Sequence, residues 1–124
     1  MTKILVAEDD NSIRDILKQM LESQAGYNVR AVSNGDQALA EMKSYRYDLM
    51  ITDIIMPGKD GIDLIIETRK HNQSLPIIAI SGGLRNVKAE FNLDSAKMIG
   101  VDEVLQKPFD KFKLLAAVKR LVNA

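Results

Sequence analysis

The chain has 124 residues, 46% of them hydrophobic, which suits one domain with a real core and excludes a disordered chain. Its 17 Lys and Arg balance 17 Asp and Glu, so charge alone gives no reason to expect a nucleic-acid partner. The absence of cysteine excludes disulfides and thiolate metal sites, and no apolar run approaches the roughly 20 residues that span a bilayer.

Met1-Thr2-Lys3-Ile4 runs straight into an apolar segment without a signal-peptide pattern, so a cytoplasmic location is expected. Residues 3–7 read as the first strand. A helix follows over 11–23, where Ile13, Ile16, Leu17, Met20 and Leu21 recur at the spacing of one helix face. Gly26 stands where a helix C′ glycine belongs. Strand 28–32 carries more polar residues than the other strands and suits a sheet edge. Asn34 is a candidate N-cap for a helix over 34–44, and Tyr45 and Tyr47 are expected to close the corner into strand 48–52. A third helix covers 61–71, with His71 as a cationic end residue. Strand 76–80 leads into Gly82-Gly83, read as a loop over 82–89, then a helix over 91–99 ended by Gly100. The last strand is expected at 101–105, and the last helix at 110–122, capped by Asp110, with Phe112, Leu115, Val118 and Val122 on its apolar face and Leu114 and Leu121 widening it.

Five alternations of strand and helix imply parallel strands joined by right-handed crossovers, with helices on both faces. Strands that are apolar throughout belong at the centre. The expected fold is therefore α/β, doubly wound and three-layered, with a five-stranded parallel sheet in the order 2-1-3-4-5. One domain over 1–124 is expected, with no output domain.

Four polar signals stand at the C-terminal ends of these strands. They are Glu8-Asp9-Asp10 after Ala7, Asp53 after Thr52, Ser81 after Ile80, and Lys107-Pro108 after Gln106. In this strand order the first and third strands are neighbours whose chains leave in opposite directions, which puts Glu8 and Asp9 beside Asp53. Three carboxylates together repel, so a cation is expected to relieve them. Mg²⁺ suits such a site, because it takes oxygen ligands and keeps several waters. A hydroxyl at Ser81 and an ammonium at Lys107 are suitable stabilisers for a phosphoryl group moving onto Asp53 as nucleophile. Each signal alone has a plainer reading: a solvated acidic loop, a turn cap, a loop start, a surface lysine. Those readings do not account for four suitable groups on one sheet edge.

The strings Ile4-Leu5-Val6-Ala7-Glu8-Asp9-Asp10, Asp53-Ile54-Ile55-Met56-Pro57-Gly58-Lys59-Asp60-Gly61, Ile80-Ser81-Gly82 and Gln106-Lys107-Pro108-Phe109 resemble the receiver domain of two-component response regulators, in order and over essentially the whole chain. The resemblance implies a flavodoxin-like fold and a phosphorylation-activated switch rather than an enzyme. It implies Asp53 as the phosphorylated residue, with Ser81 and Lys107 binding the phosphoryl group. It implies Mg²⁺ held by Asp9, Asp53 and the backbone carbonyl of Ile55, with Glu8 acting through water. Asp10 falls past the acidic pair and is read as a helix-start residue. The Lys107–Pro108 bond is typically cis in that family. The implied partners are a histidine kinase or histidine phosphotransfer protein and a downstream protein, with no nucleic acid and no membrane. Output is expected through the face made by 91–99, the fifth strand and the last helix. The alternative is a receiver excised from a larger regulator or hybrid kinase.

Val104 stands where many receivers carry a Tyr or Phe that reports phosphorylation, so readout is expected through the 82–89 loop and the helix after it. Two readings from other classes fail on single residues. A haloacid-dehalogenase-like phosphatase wants an acid two residues after its nucleophile, where this chain has Ile55. A flavodoxin-like cofactor site wants a phosphate cradle after the first strand, where this chain has Glu8-Asp9-Asp10.

Overall fold

A computed structural model of the protein describes residues 1–54, 61–81 and 99–122. It has five strands: β1 (Thr2–Ala7), β2 (Tyr27–Val32), β3 (Leu49–Asp53), β4 (Ile77–Ser81) and β5 (Glu103–Gln106). Its described helices are α1 (Asn11–Glu22), α2 (Gly35–Ser44), α3 (Gly61–His71) and α4 (Lys111–Val122). The strands form one parallel sheet in the order β2-β1-β3-β4-β5, as the sequence pattern predicts. The expected 82–89 loop, residues 91–98 of the helix expected over 91–99, and Ile55 lie outside the described residues.

The sheet splits the core in two because side chains alternate across a strand. Leu5, Ala7, Met50, Ile77 and Ala79 face one side, where Ala38 of α2 and Leu64 and Ile65 of α3 cover them. Ile4, Val6, Leu49, Ile51, Ile78 and Ile80 face the other, against Leu17 and Leu21 of α1 and Leu114, Ala117 and Val118 of α4. Burying each such side chain contributes roughly 1.5–3 kcal/mol. β1, β3 and β4 are buried on both faces, which is why they read as unbroken apolar runs.

Helix starts follow the expected chemistry. The Asp10 side chain accepts from Ile13 N (3.0 Å), Asn34 from Gln37 N (2.8 Å) and Asp110 from Lys113 N (2.8 Å). Several local expectations need correction. Ile16 is 49% exposed and Phe112 84% exposed, although periodicity put both on apolar faces. The buried residues of α4 are Leu114, Ala117 and Val118, of which the spacing predicts Leu114 and Val118 but not Ala117. Gly26 does have positive φ (+91°), but it is not the residue after α1, which closes at Ser23. Its carbonyl accepts from Thr2 N and lets the chain turn into β2. Tyr47 packs on the core and donates to Glu41, whereas Tyr45 is exposed.

β5 begins two residues later than the pattern suggests. At Asp102 the amide donates to Ile77 O (2.9 Å), while the carboxylate accepts from Ile77 N (2.8 Å) and Arg69 Nη2 (3.2 Å). Arg69 also donates to the carbonyls of Gly100, Leu75 and Asn72. One guanidinium thus ties the end of α3 to the starts of β4 and β5.

Candidate functional site

Asp53 and Ser81 are the last residues of β3 and β4 rather than the first residues of loops. Asp53 pairs with Ile80, so Ser81 sits one step beyond it on the neighbouring strand. Lys107 follows β5, and its amide donates to Ser81 O (2.9 Å), extending the ladder to the edge. Glu8 follows β1, its amide held by Val32 O (3.0 Å). Sheet pairing therefore brings these side chains to one edge of the sheet.

The predicted groups meet. Carboxylate oxygens of Glu8, Asp9 and Asp53 all lie within 4.8 Å of one another. Lys107 Nζ donates to Asp53 Oδ2 (3.1 Å) and stands 3.6 Å from Glu8 Oε1. Glu8 and Asp53 are buried, Asp9 is exposed, and Ser81 is buried. Glu8 Oε2 accepts from Asp10 N (3.1 Å), while Oε1 is buried without a hydrogen bond among the described residues. The Lys107–Pro108 bond is cis, as the resemblance implies.

The electrostatics carry the cost of this crowding. Burial, and then the Asp53 carboxylate, push the Glu8 carboxyl up to about 7, against the lowering effects of the Asp10 amide and Lys107. Burial works to lower Lys107, but attraction to Asp53 and Glu8 outweighs it and leaves that ammonium more basic than usual. The orphaned Glu8 oxygen and the three clustered carboxylates fit a hard divalent cation with oxygen ligands.

A stability prediction follows for metal-free protein. The folded Glu8 carboxyl binds its proton more tightly than in the unfolded chain, where the value is near 4.5. The folded state then holds more protons between about 4.5 and about 7, so stability falls as pH rises through that window. The loss is on the order of 1–3 kcal/mol. The raised Lys107 value acts with alkaline sign, its contribution being lost only as pH rises beyond the normal lysine range. Urea midpoints from pH 5 to pH 8 should show the fall, and Glu8→Gln should flatten it; an unchanged slope in that variant rejects Glu8 as the source.

Two residues of the site region escape the motif reading. Gly61 opens α3, and a Cβ there would lie 1.9 Å from Asp53 O. Its place in the Asp53–Gly61 string was the available signal. Arg14 of α1 donates to the carbonyl of Glu8. Its signal was only an arginine one helical turn after Asp10.

A five-stranded parallel sheet in this order, with acids, a hydroxyl and a lysine at its carboxyl edge, defines a doubly wound α/β domain with an acidic pocket at that edge. The sequence matches the family described as response regulator receiver domain over residues 4–119, and the chain belongs to that family, the receiver domains of two-component systems. It is 33% identical over 123 residues to the transcriptional regulatory protein CpxR of Klebsiella pneumoniae, covering 99% of this chain and 50% of that protein. The chain thus spans about half the length of the curated relatives it matches. The receiver domain of Francisella response regulator 1452 superimposes with a TM-score of 0.87 at 31% identity, covering 99% of this chain and 98% of that one. Response regulator TrrA of Thermotoga maritima, solved in complex with Mg(2+)-BeF, superimposes with a TM-score of 0.83 at 34% identity, covering 98% and 99%.

Proposed function

We propose that this receiver is a phosphoacceptor switch in which Asp53 takes a phosphoryl group from a phosphohistidine. The donor is a histidine kinase or histidine phosphotransfer protein. The observation that carries the reading is Lys107 Nζ at 3.1 Å from Asp53 Oδ2, beside the Glu8 and Asp9 carboxylates.

An Asp53 carboxylate oxygen attacks phosphorus, and the phosphorus–nitrogen bond of the donor breaks. The leaving imidazole keeps the electron pair and takes up a proton. The Lys107 ammonium and the Ser81 hydroxyl stabilise charge gathering on the phosphoryl oxygens. Asp9, Asp53 and the backbone carbonyl of Ile55 would hold Mg²⁺, with Glu8 acting through water. When bound, the ion supplies positive charge to the acidic pocket and to the transferring group.

The domain works as a switch on its own modification, in the cytoplasm, and passes the change to a downstream protein. Neither nucleic acid nor membrane is needed at the site, and no described helix is long and apolar enough to cross a membrane. The receiver unit covers 1–124. The stand-alone reading and the reading as part of a longer regulator share this chemistry; the mass of the endogenous protein on an immunoblot separates them.

The test is incubation with acetyl phosphate and Mg²⁺, followed by intact-mass measurement and peptide mapping. One added phosphoryl group at Asp53 is expected, abolished in Asp53→Asn. Labelling that persists in Asp53→Asn rejects the assignment.

A second outcome concerns transmission. Lys107→Ala should accept phosphate to a reduced extent while failing to relay it, because the ammonium links Asp53 to the end of β5. NMR shift changes in β5 and α4 on phosphorylation should shrink relative to wild type. Wild-type shift changes in the variant would remove the relay role.

A further inference from the structure

The turn that carries the acidic pair is short: three residues separate Ala7 of β1 from Asn11 of α1. Its Glu8 end is fixed by the Val32 carbonyl and by the Asp10 amide on its carboxylate. Asp9 is exposed, so packing does not aim its carboxylate, and its direction follows from the backbone of the turn. One side chain grips that backbone. Arg14 Nη1 donates to Glu8 O (2.9 Å) and approaches Asp9 O (3.4 Å), while Nη2 donates to Asn11 Oδ1. The Arg14 amide donates to Asp10 O (2.9 Å), so the same residue also closes the first helical turn.

We propose that Arg14 is a positioning residue for the divalent-cation site, strapping the Glu8–Asp9 backbone to α1 and so fixing where the two carboxylates point. The inference rests on the proposed metal role of the acidic pocket. A planar guanidinium reaches the two carbonyls and the Asn11 amide oxygen together, and the compact ammonium of a lysine cannot reproduce that fork.

Two effects of Arg14 on a cation have opposite signs, which makes the proposal sharp. Its charge, acting through space, repels a cation, so charge removal alone would tighten binding. Its grip on the turn favours binding, so loss of the fork weakens it. Groups that orient metal ligands typically change affinity by about 10–100-fold when replaced.

Mg²⁺ titrations followed by NMR on wild type, Arg14→Lys, Arg14→Gln and Leu21→Val decide the matter. Leu21 is buried in α1 away from the turn and controls for general loosening of the helix. Both Arg14 variants should bind Mg²⁺ about tenfold more weakly. Leu21→Val should bind as wild type. Tighter binding in Arg14→Gln, wild-type binding in Arg14→Lys, or an equal loss in Leu21→Val overturns the positioning role while leaving the site reading intact. Wild-type protein that fails to bind Mg²⁺ overturns the site reading and this inference with it. Urea midpoints of the four proteins confirm that each is folded during titration.

Discussion

A Gly61→Ala variant is expected to lose about 2–4 kcal/mol of stability. The cause is a close approach of backbone to backbone. A methyl group at position 61 would lie 1.9 Å from Asp53 O and 2.8 Å from both Asp53 C and Ile54 Cα. No side-chain rotation relieves this, because the clashing atoms are backbone atoms at the end of β3 and of the residue after it. The Gly61 amide also donates to Ile54 O (2.9 Å), and the Thr52 hydroxyl donates to Asp53 O (2.9 Å), so moving either side breaks a hydrogen bond. In a domain of this size the loss lowers the melting temperature by roughly 10 °C. The same displacement moves the carboxylate of Asp53, so acetyl phosphate labelling should slow along with the loss of stability. Thermal melts and labelling rates of the variant test both parts, and a wild-type melting temperature would mean that the approach is looser than described.

Asp9→Ala is expected to weaken Mg²⁺ binding by about 10–100-fold or more, since on the proposed reading Asp9 is a direct oxygen ligand in a site with few protein ligands. Asp10→Ala should cost about 1 kcal/mol of stability, through loss of the N-cap to Ile13 N, and leave Mg²⁺ affinity nearly unchanged. Adjacent acids thus separate into one variant that loses metal and one that loses stability. Equal losses of metal in both variants would overturn the division of labour within the acidic run.

The fold was legible because its strongest signals are long-period ones. Strand order follows from which apolar runs can be buried on both faces, and the topology then brings Glu8, Asp9, Asp53, Ser81 and Lys107 to one edge. What failed was local. Ile16 and Phe112 fit a helical stripe but are exposed, since a stripe read from spacing is wider than the face a helix buries. Where β5 starts, the Ile77 amide bonds the Asp102 carboxylate rather than a strand carbonyl, a tertiary contact across 25 residues that no local window contains. Gly26 illustrates the converse: its positive φ was legible, its structural setting was not. At the site, carboxylates and lysine announce their chemistry by type. Arg14 and Gly61 act through backbone geometry and carry no such label.

The Arg69 clamp makes the sheet mechanically one-sided. At the start of β4 and β5, Arg69 and Asp102 bind Ile77, Leu75 and Gly100 through contacts that span up to 33 residues. At the opposite end the Lys107 amide bonds Ser81 O, and the Lys107 ammonium is held by Asp53 and Glu8. β4 is therefore paired to β3 and β5 along its length, and its root carries side-chain ties in addition to the ladder. A displacement at Ser81 is expected to reach the end of β5 first, through the Lys107 amide that donates to the Ser81 carbonyl.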